Sequence, residues 1–177
     1  MRLIERNFYL NKLKDVTGTP DIKVITGVRR SGKSKLLKAF MAYIQANDPH
    51  ANIIHINFNM NAFENLAEYH ALNDYIEKAH LPGKDNFIFI DEVQMCSGFE
   101  KAINSLHASE KYDIYITGSN SFLLSSDLAT LFTGRTFEIE VFPFSFREFM
   151  QYYELTDQYT AFHRYIQEGG MSGSYLY

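Results

Sequence analysis

Gly27-Val28-Arg29-Arg30-Ser31-Gly32-Lys33-Ser34 places two glycines, a lysine and a hydroxyl at the spacing G-x-x-x-x-G-K-[ST], matched at every fixed position. Each residue type has a physical reason. Glycines let backbone N–H groups close around an anion, the Lys33 ammonium reaches the outer phosphates of a nucleotide, and the Ser34 hydroxyl offers an oxygen to Mg²⁺. A helix starting at Lys33 adds its positive N-terminal dipole. The alternative, an ordinary glycine-rich turn, would match by chance in about one sequence of this length in a few hundred. Arg29 and Arg30 occupy the variable positions of the loop, where they either touch phosphate or a neighbouring subunit, or stand solvated.

The second chemical cluster is Phe87-Ile-Phe-Ile-Asp91-Glu92, an apolar run that delivers two adjacent carboxylates. Asp91 is placed to hold Mg²⁺ and Glu92 to orient and deprotonate an attacking water. A small-molecule kinase must exclude water, so an acid directly after the metal-binding Asp points to hydrolysis. Taken alone, the pair would also suit a strand end meeting a helix N-terminus.

Two further positions carry open readings. Thr117-Gly-Ser-Asn-Ser121 offers Asn120 or Ser119 to touch a γ-phosphate or the attacking water, but Ser and Asn are equally suited to capping a helix. Gly134-Arg135 offers a cation for a phosphoryl-transfer transition state, from its own or a neighbouring subunit, or else a structural ion pair. Asn61, His55 and His70 have no comparable argument and read as structural or solvated. Guanine recognition by Asn-Lys-x-Asp is not matched: the nearest string, Glu110-Lys-Tyr-Asp113, has the wrong first residue and precedes a strand. The expected ligand is therefore ATP with Mg²⁺.

Alternating periodicities would position these groups. Helical spacing runs from Leu3 to Val16 and stops at Thr17-Gly-Thr-Pro20. Strands are expected at Ile22–Thr26, Asn52–Phe58, Asn86–Ile90, Tyr112–Thr117 and Thr136–Val141, where Pro143 closes the last. Helices are expected at Lys33 to about Asn47, Glu64 to Ala79, Phe99 to Ser109 and Ser121 to Leu131. Strands alternating with helices imply βαβ units, a mostly parallel sheet and a site at the carboxyl ends of the strands. One complete strand, Asn52–Phe58, lies between the phosphate-loop helix and Asp91. That separates ATPases with a catalytic glutamate from kinase and GTPase arrangements.

Composition bounds the rest. At 177 residues the chain has room for one domain. A net charge of −4 gives no support to nucleic-acid or anionic-membrane binding, while 46% hydrophobic and 21% charged residues describe a chain that folds. Cys96 is the single cysteine, which excludes an internal disulfide. No apolar run reaches the length of a membrane span, and the N-terminus turns charged early. These features point to a cytoplasmic protein.

Together, Gly-Val-Arg-Arg-Ser-Gly-Lys-Ser, Ile-Asp-Glu-Val-Gln94, Ile-Thr-Gly-Ser-Asn-Ser and Gly-Arg-Thr with Val141-Phe-Pro-Phe-Ser-Phe-Arg-Glu-Phe149 resemble one family. It is the prokaryotic AAA-type ATPases with an uncharacterised C-terminal domain, related to archaeal ATPases and STAND NTPases. The resemblance covers about Ile4 to Met171. It implies an α/β P-loop NTPase with a mostly parallel five-stranded sheet of order 5-1-4-3-2 and helices on both faces. It also implies ATP and Mg²⁺ as ligands, with Lys33, Ser34, Asp91 and Glu92 in the roles given above. Gln94 matches the family string without an assigned role. The segment near Arg6 and Tyr9 either packs against adenine or is a core-facing helix.

The expected organisation is an ATP-binding core over 1–168 and the truncated start of a C-terminal region over 169–177. The partners expected beyond ATP are a second copy or another protein. Three readings follow: an ATP hydrolase with output through the C-terminal part, a nucleotide-dependent switch with little hydrolysis, and a small-molecule kinase requiring an acceptor.

Overall fold

Strand residues of alternating parity bury into two separate cores, and that division sets the layers of the molecule. The computed structural model describes residues 6–119, 132 and 134–171. Its strands are β1 Ile22–Thr26, β2 Asn52–Asn57, β3 Asn86–Asp91, β4 Asp113–Thr117 and β5 Thr136–Glu140. All pairs are parallel, and the five-stranded order is β2-β3-β4-β1-β5. Counted from the other edge, this is the expected 5-1-4-3-2.

The helices among the described residues are α1 Asn7–Asp15, α2 Lys33–Asn47, α3 Tyr69–Ala79, α4 Phe99–Ala108, α5 Phe146–Tyr153 and α6 Gln158–Glu168. Ile22, Val24, Ile88, Ile90, Ile114 and Ile116 meet Leu72 and Ile76 of α3 and Ile103 and Leu106 of α4. The residues between them, Ile25, Phe87, Phe89 and Tyr115, meet Leu10 and Leu13 of α1 and Leu36, Leu37 and Phe40 of α2. Period-two alternation in the strands thus feeds helical stripes on both faces. None of the described helices is long and apolar enough to cross a membrane.

Most expected strand and helix limits agree with the structure to within a residue or two. The helix expected from Glu64 to Ala79 is a correction. A 3-10 turn spans Asn61–Leu66, Glu68 is extended, and α3 starts at Tyr69. Ser97 causes the break: its N–H donates to Ala67 O at 2.7 Å and its carbonyl accepts from Tyr69 N at 3.0 Å. Those backbone groups bond across the fold instead of along a helix. The helix expected over Ser121–Leu131 lies outside the described residues.

After β5 the chain continues into a helical pair, and the first helix starts at a cap written in the sequence as Ser-x-x-Glu. Ser145 accepts from Glu148 N, and the Glu148 carboxylate accepts from Ser145 N at 2.8 Å, a reciprocal cap that starts α5. The same carboxylate receives Arg6, with Nε at 2.8 Å and Nη2 at 3.0 Å. Arg6 is buried and its guanidinium lies 4.5 Å from the Tyr9 ring centroid. Tyr165 of α6 donates to Phe144 O, and Phe144 N donates to Gly170 O, so α6 closes on the same segment.

Burial alone would raise the Glu148 carboxyl, but the Arg6 hydrogen bond, the Ser145 backbone N–H and the Arg6 charge outweigh it and hold it below the ordinary 4.5. A depressed acid stabilises the fold above its unfolded pKa and loses that contribution as pH falls through the folded value. Glu148→Gln is therefore expected to cost about 1.5–3 kcal/mol at pH 7, the range for hydrogen bonds to charged groups. The difference from the parent should shrink as pH drops below 4.5, as read from urea unfolding at a series of pH values.

Candidate functional site

The phosphate loop leaves β1 under tight constraint. Val141 N–H donates to Thr26 O at 2.8 Å and Gly118 N–H to Ile25 O at 3.4 Å, fixing the strand end from both neighbours. Gly27 follows with φ +146°, and a Cβ there would stand 2.3 Å from Val141 O. Only glycine meets both demands. Gly32, with φ +101° in the left-handed region, turns the chain into α2. Val28, Arg29 and Arg30 are exposed along the loop.

Lys33 opens α2 with its side chain folded back under the loop. Its Nζ donates to Gly27 O at 2.8 Å and to Val28 O at 3.2 Å. Burial pulls the ammonium below its ordinary value, while the Glu92 and Asp91 carboxylates oppose that shift. Lys33 is thus the buried cation of a loop whose two arginines, Arg29 and Arg30, are exposed. Ser31 Oγ is buried in the loop with no hydrogen-bond partner among the described residues, as in a site completed by its ligand.

β3 brings Asp91 to the same edge of the sheet. Asp91 is buried, and its Oδ1 accepts from the Thr117 hydroxyl at 2.5 Å. Thr117 ends β4, between β3 and β1, and its Oγ1 also accepts from Glu92 N at 3.1 Å. A single hydroxyl therefore joins both acidic residues to the central strands. Glu92 has φ +59°, so the chain turns sharply after the metal-site candidate. Gln94 Nε2 donates to Glu92 Oε2 at 2.5 Å. The expectation centred on Ser119 and Asn120 at this strand end. Thr117 plays a different part, joining the two acids, and the signal available for it was a threonine at the end of the strand just before that polar run.

The Mg²⁺ implied by the resemblance can be tested against the donor set. Asp91 and Ser34 supply hard oxygen donors and too few of them to encage an ion, which suits Mg²⁺ shared with phosphate oxygens and water. Among the described residues no group of three or more His, Cys, Asp or Glu could hold a metal by itself.

The other candidates are placed differently. Asn120 lies outside the described residues, and Ser119 is half-buried after β4. Arg135 is exposed and its carbonyl accepts from Ile22 N at 2.8 Å, at the amino ends of β1 and β5. Five residues of strand, about 16 Å at ~3.3 Å per residue, separate that edge from the phosphate loop. A role for Arg135 at the γ-phosphate of its own subunit would have to span that length of strand. Arg6 does not present a free surface for adenine either: besides Glu148 it donates to Ser31 O in the loop at 2.9 Å. His55 on β2 is half-buried, and desolvation lowers its pKa against the pull of Asp91.

Comparison with known proteins places this geometry. The AAA domain family matches residues 19–150. An uncharacterized protein of Haemophilus influenzae is 40% identical over 150 residues, covering 84% of this chain and 38% of its own length. An uncharacterized protein of Methanocaldococcus jannaschii is 35% identical over 131 residues, covering 74% of this chain and 28% of its own. The chain therefore spans well under half of the curated relatives it matches. Among solved structures, the Aeropyrum pernix ORC1 protein in complex with DNA superposes with TM-score 0.60 at 13% identity, covering 92% of this chain and 50% of that one. AMPPCP-bound DnaA from Aquifex aeolicus gives 0.60 at 17% identity, covering 93% and 56%. At such identities the likeness is one of fold.

The Thr117 bridge can be tested by removing its hydroxyl. Thr117→Val keeps the shape and leaves an acid oxygen and an amide without partners, at an expected cost of about 1–3 kcal/mol. Thr117→Ser should recover most of it. Denaturant midpoints of the two variants make the comparison.

Proposed function

This chain belongs to the AAA domain family, and on that premise we propose that it binds ATP with Mg²⁺ and hydrolyses it to ADP and phosphate. The observation that carries the reading is geometric: Lys33 Nζ lies under the phosphate loop on Gly27 O at 2.8 Å, and the Thr117 hydroxyl, at the end of the strand next to β1, ties down Asp91 and Glu92 at the same edge of the sheet. A cation and two acids of distinct surroundings at one strand edge suit phosphoryl transfer to water, which depends on positioning and charge stabilisation.

In this reading the amides of residues 28–34 and the Lys33 ammonium bind the β- and γ-phosphates. Lys33 exchanges its bonds to Gly27 O and Val28 O for phosphate oxygens. Ser34 and Asp91 would hold Mg²⁺, whose chemistry when bound is to offset charge on the phosphate oxygens. Glu92 orients the attacking water and takes its proton. Asn120 is the candidate polar contact to the γ-phosphate. Arg135, remote from its own loop, supports a transition state only across an interface between two copies.

A second reading, a nucleotide-dependent switch with slow hydrolysis, draws on a different observation. Arg6 binds the loop carbonyl of Ser31 with one nitrogen and Glu148 of α5 with two others. Any shift of the loop on filling is passed to the helical pair after β5. Output through a C-terminal part, as expected for the longer relatives, would start from that pair.

Lys33→Ala is expected to weaken binding of an ATP analogue at least tenfold, as followed by titration. Glu92→Gln should leave that binding intact and slow phosphate release by about a hundredfold to ten-thousandfold, the range of general-base catalysis. Single-turnover kinetics of the parent chain separate the readings: stoichiometric release within the time of binding supports the hydrolase, and retention of uncleaved ATP supports the switch.

A further inference from the structure

Gln94 has no part in the mechanism above, yet its side chain binds the Glu92 carboxylate. Its Nε2 donates to Glu92 Oε2 at 2.5 Å. Only the NH₂ end of the amide can donate to a carboxylate, so the other end is turned away. That other end, Oε1, is buried and has no hydrogen-bond partner among the described residues. An unpaired buried acceptor is a folding cost that an apolar side chain of similar length would not bear. Stability alone therefore gives no reason for glutamine here.

The backbone around Glu92 is already settled. Its φ of +59° is left-handed, its N–H meets Thr117 Oγ1 at 3.1 Å, and its carbonyl accepts from Met95 N at 3.0 Å. None of this fixes the carboxylate, which ends a side chain with three rotatable bonds. Fixing it is what a general base requires, since misplacement by about 1 Å is enough to slow a reaction a hundredfold.

We propose that Gln94 is a positioning residue for hydrolysis: its amide nitrogen holds Glu92 Oε2 and so leaves Oε1 of the same carboxylate to meet the attacking water. The proposal rests on the hydrolytic reading above. It deepens that reading by giving the base a second residue through which its geometry is set. The spacing explains how the contact arises. A left-handed residue followed by the 3-10 turn Val93–Met95 folds position 94 back onto position 92, a pairing that an α-helix would not allow.

The test uses the purified chain with Gln94→Met, which keeps length and removes the donor, and Gln94→Glu, which keeps shape and replaces the donor by an acid. Each is made alone and with Glu92→Gln, and is measured for binding of AMPPCP, for kcat and KM with Mg-ATP, and for thermal unfolding. Both single variants are expected to bind AMPPCP as the parent does and to keep KM, while kcat falls about tenfold to a hundredfold, as for other groups that orient a reacting side chain. In the Glu92→Gln background neither should lower kcat further, because Gln94 acts through Glu92. Gln94→Met with parental kcat, or with a loss that adds fully to that of Glu92→Gln, overturns the proposal and leaves hydrolysis standing. A parent chain that binds AMPPCP but never releases phosphate overturns the hydrolytic reading, and the proposal with it. A fall in kcat accompanied by a fall in melting temperature of more than about 5 °C and weaker AMPPCP binding would mark a merely structural role, and also overturns it.

Discussion

The position of the carboxyl end of β1 governs the rest of the site. Its last two carbonyls are taken by Val141 on one side and Gly118 on the other. The chain must then turn at a residue with no room for a side chain, because Val141 O stands where a Cβ would go. From that fixed point the loop wraps back to α2, whose first residue aims an ammonium under it. β4 and β3 follow in order on one flank and bring Thr117 and Asp91 level with the loop. Parallel pairing makes this possible, since every strand of the sheet ends at the same edge.

Much of this architecture could be read in the sequence because its signals are short-range. The G-x-x-x-x-G-K-S spacing, the apolar run ending in Asp91-Glu92 and the alternation of strand and helix each lie within a dozen residues. The two features that escaped have other causes. Arg6 and Glu148 are 142 positions apart, and no local pattern links an arginine before a helix to a glutamate at the start of another. Gln94 is only two positions from its partner, but the pairing depends on a left-handed backbone at Glu92, a conformation that side-chain type does not announce. The break before α3 belongs to the same class: helix-forming residues from Glu64 onward give way to backbone bonds with Ser97. The reciprocal cap at Ser145 and Glu148, by contrast, was present in the sequence as Ser-x-x-Glu before an apolar residue.

Arg6 also shows why the segment after β5 is more than an appendage to the sheet. One guanidinium touches the loop, the cap of α5 and the carbonyl of Pro143. With Arg6 buried, such a group is stable only while all of its partners stay in place. The region around the loop and the helical pair is thus energetically coupled through a single side chain, whatever the chemistry at the γ-phosphate. Hydrolysis and switching are compatible uses of that coupling.

β5 forms one edge of the sheet, with its inner side paired to β1 and its surface side chains Glu138 and Glu140 exposed. An edge of this kind is where a sheet grows by adding a strand from another molecule. At five residues β5 is short, and its side chains at 138 and 140 are acidic. A short edge strand bearing charged side chains is among the ways in which a sheet is kept from pairing with another chain.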